Sequence, residues 1–371
     1  MNDIVSIQST DSWQELFASA DIGERFTFHS VSRGGKPFLF LPASNTAARR
    51  SLDLYPAQST KARLAKTLLG MCLAVGLRPG LARVSRVISQ TDPFAAFLRA
   101  CSGVDAGEPF SFAVLAGNPS APGRRHVFLL FDSASQPVAV VKAGLTGKAR
   151  ELIRHERLLL SVFDAKQKGV PRLTNAIETD DWSAFSMDFI AGDSPGDDSS
   201  AVLGTIFSSW VNEKSSITVG DTSAWKRLEA SLGGGGFPET IASLATCQVR
   251  PVLFHGDFAP WNIKVADGRW TVLDWERGEQ IGIPMWDWLH HVIQPGVLVR
   301  REAADITIAR LTELFASADF IQYAKRCQVS GAEWRFTFAY VEYCIRVTRQ
   351  TEGLPLLERL REALRVKIVR G

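Results

Sequence analysis

The sequence predicts an α+β protein in which a strand-rich section precedes a long helical one. Two observations carry this expectation. Between Pro109 and Asp193 the short apolar runs SFAVLA, HVFLLF and PVAVVKA are separated by turn chemistry, GNPSAPGR and DSASQ, the signature of short strands. Beyond residue 194 apolar residues recur at helical spacing, most clearly in AYVEYCIRV and LLERLREALRV.

At 371 residues the chain is too long for one ordinary core. The expected sections are an N-terminal α+β accessory domain over 1–105, a strand-rich section over 106–193 and a helical one over 194–371. Apolar residues make up 46% and charged residues 22%, the profile of a soluble globular protein. A net charge of +3 gives no reason to expect nucleic acid as a partner. The start, MNDIVSIQSTDSW, shows no signal-peptide pattern. The longest near-apolar stretch, Thr67 to Leu77, falls well short of the ~20 residues of a membrane span. The five cysteines (Cys72, Cys101, Cys247, Cys327 and Cys344) are scattered, with no pair at zinc-ligand spacing, so unpaired thiols in a reducing cytoplasm are expected.

In the first section, RFTFHSV and KPFLFL flank Gly34-Gly35 and read as a hairpin. A helix is expected from Ser59, with Leu64, Leu68, Met71, Cys72 and Val75 on one stripe and an end near Gly76 and Pro79. Thr91-Asp92-Pro93 reads as a cap and first-turn proline for the helix FAAFLRA. Between Asn45 and Gln90 eight basic residues face a single acid, Asp53. This reads either as a solvated face or as a contact for an anionic surface or ligand. In the second section a helix from Lys148 to Phe163 follows the three strands, and AFSMDFI reads as another strand. The polar break AGDSPGDDSS leads into the helical section.

The chemistry-bearing residues lie in VLFHGDFAPWNIKVADGRWTVLDWE. His255-Gly256-Asp257, Asn262 five residues later and Asp274 at the end of the strand WTVLD form an ordered set. Phosphoryl transfer needs such a set: one carboxylate to accept a hydroxyl proton, and hard oxygen ligands to hold Mg²⁺ against phosphates. Turn capping is the structural alternative for Asp257 and Asn262.

This pattern, HGD-x4-N followed by LDWE, resembles the aminoglycoside phosphotransferase and choline kinase group, the small-molecule branch of the protein-kinase-like fold, from about Pro109 onward. The resemblance implies a bilobal fold and an ATP- and Mg²⁺-dependent kinase acting on a small-molecule hydroxyl. It implies Asp257 as catalytic base, Asn262 and Asp274 as metal ligands, and His255 as a brace of the loop. A kinase-like site also needs a strand lysine for the α/β-phosphates and a helix glutamate to orient it. PVAVVKA supplies Lys142. Glu156, on the same helical stripe as Leu152, Leu159 and Leu160, would need a cationic partner on a buried face. SMDFIAG resembles the hinge whose backbone, here Asp188, Phe189 and Ile190, would bond adenine.

Asp287 in PMWDWLHH is either a helix cap or the family's brace of the catalytic loop, and His290 and His291 read as packing or surface residues rather than metal ligands. Trp261, Trp270, Trp275, Trp286 and Trp288 read as core, or as an aromatic wall for a sugar or cationic acceptor. The sequence departs from kinases in lacking a G-x-G-x-x-G loop: GNPSAPGR offers Gly117, Asn118, Ser120 and Gly123, of which Ser120 is the expected phosphate contact. A sugar or sugar-like acceptor is the favoured expectation. The rival readings are an inactive kinase-like binding module and a protein kinase.

Overall fold

The computed structural model describes residues 12–55, 57, 60–105, 108–117, 123–164, 166–196, 200–233, 239–348 and 353–370. The chain forms two compact units, 1–161 with 171–190 and 162–170 with 191–371.

The first unit is built on one antiparallel sheet of eight strands. These are β1 (Glu24–Arg33), β2 (Lys36–Pro42), β3 (Ala82–Ile88), β4 (Ser111–Ala116), β5 (Arg125–Phe131), β6 (Pro137–Gly144), β7 (Leu173–Glu178) and β8 (Ser183–Asp188), in the spatial order β3-β1-β2-β4-β5-β6-β8-β7. The β1–β2 hairpin turns on Gly34 and Gly35, whose φ angles of 57° and 77° most residues avoid. The join between the first section and the rest is short: Leu39 pairs with Leu115 and Phe40 with Val114. Strands β1, β2 and β3 and the strand-rich section therefore share one sheet.

Alternation along the strands gives the sheet two apolar faces. On one, Trp13 meets Phe28 at 5.2 Å and Phe40 at 5.3 Å between ring centroids, within a cluster that includes Phe17, Phe94, Phe112 and Phe128. Helix α3 (Pro93–Ser102) packs on this face, capped by Asp92, whose carboxylate accepts from Ala95 N–H at 2.8 Å. On the other face, Leu39 and Leu41 pack with Ala48 of α1 (Asn45–Ser51) and Leu73 of α2 (Thr60–Ala74). Helix α4 (Gly147–Ser161) buries Ala149, Ile153, Glu156, Leu159 and Leu160.

The second unit is mainly helical. Its helices are α5 (Ser200–Ser209), α6 (Ser223–Ala230), α7 (Glu239–Ala242), α8 (Trp286–Gln294), α9 (Ala304–Ala316), α10 (Ala318–Cys327), α11 (Glu333–Arg346) and α12 (Leu354–Arg370). Three two-stranded pairs interrupt them: β9 (Ile217–Thr218) with β10 (Gln248–Val249), β11 (Val252–Phe254) with β14 (Glu279–Gly282), and β12 (Ile263–Ala266) with β13 (Arg269–Val272). Among the described residues no helix is long and apolar enough to cross a membrane, and all five cysteines are unpaired. Three antiparallel strands, a helix, two further strands and then a helical unit carrying the HGD segment follow the order of a protein-kinase-like α+β fold.

Three elements differ from the sequence expectation. Strand β3 and helix α1 lie where no element was expected. Helix α2 forms over the expected residues, but Leu64, Leu68, Met71 and Val75 are 50–72% exposed, while Leu69 and Leu73 face the sheet. The helix is apolar on opposite sides, and contact with β2 selected the second one. Asp274 lies beyond the end of β13, at a φ of 68°.

Leu73 and Met71 separate the two faces of α2. Truncating Leu73 to Ala should cost about 2–5 kcal/mol in urea denaturation, whereas Met71→Ala should stay within about 0.5 kcal/mol of the parent.

Candidate active site

The loop after β11 begins at a position that only glycine fits well. Gly256 has a φ of 78°, and a Cβ there would lie 2.8 Å from the Arg277 carbonyl oxygen. The turn is held from beneath by Asp287, one residue into α8. Its carboxylate accepts the amides of His255 at 2.7 Å and Gly256 at 3.0 Å. Burial pushes the Asp287 pKa up to about 7, and these two donors pull the other way. Of the two expectations for Asp287, the geometry is that of a brace, since its oxygens are spent on the loop rather than on its own helix.

His255 is fully buried and ties the loop to the neighbouring strand. Its Nδ1 accepts from Asp257 N–H at 3.2 Å, which leaves Nε2 to donate to the Leu273 carbonyl at 2.9 Å. One accepting and one donating nitrogen define a neutral ring, and burial lowers its pKa to about 4. Leu273 immediately precedes Asp274, and its own amide donates to the Asn262 carbonyl at 2.7 Å. The register of β12 and β13, with Ile263 opposite Val272, thus brings the backbone before Asp274 to Asn262.

The side chains of Asp257 and Asn262 are joined directly. Asn262 Nδ2 donates to the Asp257 carbonyl at 2.8 Å and to its Oδ2 at 3.1 Å. With the amide nitrogen committed, Asn262 Oδ1 is the atom left to face a cation. That oxygen and the Asp274 carboxylate are hard ligands of the type Mg²⁺ prefers, and Mg²⁺ commonly takes only one or two protein groups beside substrate phosphates. Among the described residues no cluster of three or more His, Cys, Asp or Glu could hold a metal by itself.

The residue that sequence reasoning missed is His290. Its Nε2 approaches Asp257 Oδ1 at 3.0 Å, off the line of a well-formed hydrogen bond, and its Nδ1 lies 2.9 Å from the Tyr340 hydroxyl. Burial disfavours the charged form of Asp257, but His290, then Arg277 and His255, outweigh it and hold the carboxyl below its ordinary pKa. A signal was available: His290 follows Asp287 by three residues on one helix, so a loop held by Asp287 also meets His290. Of the five tryptophans, Trp275, Trp286 and Trp288 are core residues, and Trp275 packs on Phe163 at 4.9 Å. Those three offer no exposed aromatic wall, whereas Trp261 and Trp270 are half-buried.

In the first unit Lys142 Nζ meets Glu156 Oε1 at 2.6 Å, with Glu156 fully buried and Lys142 only 8% exposed. The helix α4 glutamate thus faces the β6 lysine, as the buried stripe of α4 requires. At the end of β8 the Phe189 amide donates to the Val138 carbonyl at 2.9 Å. That donor is spent on extending the sheet, which leaves the Phe189 carbonyl as its backbone group for a ligand. Ser120 lies outside the described residues. Gly123 has a φ of 74° and packs where a Cβ would meet Leu152 Cδ1 at 2.9 Å, so Gly123 itself lies close against α4.

No protein-family profile matches the chain, and no curated protein matches it by sequence. Among solved structures it is similar to aminoglycoside phosphotransferase APH(4)-Ia, at 13% identity over 75% of this chain and 99% of that one, with a TM-score of 0.45. It is also similar to a protein of Haemophilus somnus 129PT described as a fructosamine-3-kinase, at 12% identity over 73% and 96% of the chains and a TM-score of 0.43. A third is aminoglycoside phosphotransferase APH(3'')-Id of Streptomyces rimosus, at 14% identity over 68% and 97% and a TM-score of 0.40.

Replacing Asp287 by Asn leaves one acceptor for two amides, and the substituted NH₂ points at the other. The expected loss is about 1–3 kcal/mol of stability in the second unit, read by thermal denaturation. Glu156→Gln leaves the buried Lys142 ammonium without its counter-charge, and the first unit should lose about 3–5 kcal/mol in the same measurement.

Proposed function

We propose that this chain is a phosphotransferase that passes the γ-phosphoryl group of ATP to a hydroxyl of a small molecule, with Mg²⁺ as the metal. The observation that carries the reading is the linked set His255, Asp257, Asn262 and Leu273-Asp274, in which a carboxylate held in its ionised form sits beside an amide whose oxygen is directed away from it. A cation bound by Asn262 and Asp274 would neutralise phosphate charge as it shifts to the leaving diphosphate.

The chain's own residues supply the remainder. Lys142, oriented by Glu156, takes the α- and β-phosphates as a point charge on a buried stem. The acceptor oxygen forms its bond to the γ-phosphorus as the bond to the β–γ bridging oxygen breaks. The hydroxyl proton passes to Asp257 Oδ2, and ADP leaves with the bond electrons. His290 sets which Asp257 oxygen is open, because it occupies the Oδ1 side. A carboxylate with a low pKa is a weak base, which suits a reaction in which the proton moves late. The acceptor class we propose first is sugar-like. Unpaired cysteines among the described residues fit action in a reducing cytoplasm, where ATP is available.

The test is an ADP-release screen over sugars, amino alcohols, amino acids and aminoglycosides with Mg²⁺. Asp257→Ala should lower kcat with the best acceptor by about 10²–10⁴-fold, the range for loss of a general base. Equal turnover by the parent and the Asp257→Ala chain would overturn the assignment. Nucleotide-dependent thermal stabilisation without turnover of any acceptor would favour the binding-module reading.

A further inference from the structure

Among the described residues, the apolar outer side of α2 has no partner. Leu64 is 60% exposed, Leu68 50% and Met71 55%, and Val75 and Leu77, just past the helix end, are 72% and 60% exposed. At about 100° per residue, positions 64, 68 and 71 fall within about 60° of one another, a ridge about two turns long that Val75 continues past the helix end. The inner side is occupied by Leu69 and Leu73 against β2, so rotation of the helix cannot bury the ridge without exposing them. Scattered exposed apolar residues are ordinary, but an aligned row on one helix is not.

The surroundings of the ridge are basic. Lys61 flanks it on one side and Arg63 on the other by helical position, and both are exposed. Arg49 and Arg50 are exposed on the adjoining α1. Arg83 of β3 belongs to the same sheet face as α2, where with Arg78 it lowers the pKa of His29, behind burial as the main cause. Lys66, Arg78 and Arg86 have structural duties: Lys66 donates to the Tyr55 carbonyl, Arg78 to Ala43 and Asn45, and Arg86 to Phe17. Arg63 also reaches the Ala57 carbonyl, at 3.3 Å, from an exposed position. A second copy of this surface would bring two basic patches together, so self-pairing is opposed by charge.

We propose that the outer side of α2 docks on an anionic lipid bilayer, with Leu64, Leu68, Met71 and Val75 entering the headgroup–acyl boundary and Arg49, Arg50, Lys61, Arg63 and Arg83 meeting the lipid phosphates. An apolar ridge between cations is the pattern of interfacial helices. A convex row also needs no preformed groove in its partner. The docking stands independently of the phosphotransfer reading, since it uses none of those residues.

The experiment is sedimentation of the full chain with vesicles of phosphatidylcholine alone and of an equal mixture of phosphatidylcholine and phosphatidylglycerol. The expected result is binding to the anionic vesicles only. It should weaken when ionic strength rises from about 0.05 to about 0.5 M, as screening removes the charge contribution. The triple change Leu64→Ser, Leu68→Ser and Met71→Ser should weaken binding at least about tenfold while leaving the unfolding midpoint in place, because these side chains are exposed. The pair Lys61→Glu and Arg63→Glu serves as a second variant, expected to lose the anionic preference. No binding to anionic vesicles, or equal binding by the parent and both variants, would overturn the proposal. So would capture of an acidic polypeptide in place of vesicles, or a dimer that the triple change dissolves.

Discussion

A carboxylate buried in a helical unit must find donors or give up its charge, and Asp287 finds them in the backbone of the loop it faces. Two amide bonds, from His255 and Gly256, convert a glycine turn into a fixed corner. The remaining site geometry follows from that corner. His255 reaches back to Leu273, which fixes where Asp274 begins, and Asp257 is presented where Asn262 and His290 meet it. The support is backbone-deep: Asp287 touches no side chain of the reacting set, yet the positions of that set rest on it.

The first unit solves a similar problem with opposite charges. Glu156 lies on the face of α4 that packs against the sheet, and the sheet offers Lys142 at a position otherwise suited to an apolar residue. Each ion would be costly there alone, and together they hold an ammonium group in one place. The sheet that carries Lys142 is larger than its own section, because β1, β2 and β3 extend it through the short β2–β4 contact. This extension also creates the outer side of α2, a surface with no counterpart elsewhere in the described chain.

His290 adds to the chemistry of the loop. A buried ring between the Tyr340 hydroxyl and Asp257 favours the ionised carboxylate and closes one of its oxygens. The tyrosine is in turn held by Gln294, at 3.4 Å, so the polar chain ends inside the helical unit rather than in solvent. Such a chain holds the Asp257 carboxylate beside a fixed imidazole ring.

Much of the site was legible in one dimension, because its parts are local. HGD, Asn262 and Asp274 lie within twenty residues, and the hairpin β12–β13 closes on itself. Lys142 and Glu156 were legible for a different reason: a lone glutamate on a buried helical stripe demands a cation. What the sequence could not decide was which of two competing faces would be used. Helix α2 is apolar on both sides, and only contact with Leu39 and Leu41 chose Leu69 and Leu73 over Leu64 and Leu68. His290 was equally invisible, since a histidine on a packed helix carries no sign of its partner until the loop braced by Asp287 is placed beside it. The kinds of residue and their spacing determined the proposed chemistry. Tertiary packing alone decided which faces are buried, because burial is a property of the partner surface as much as of the segment.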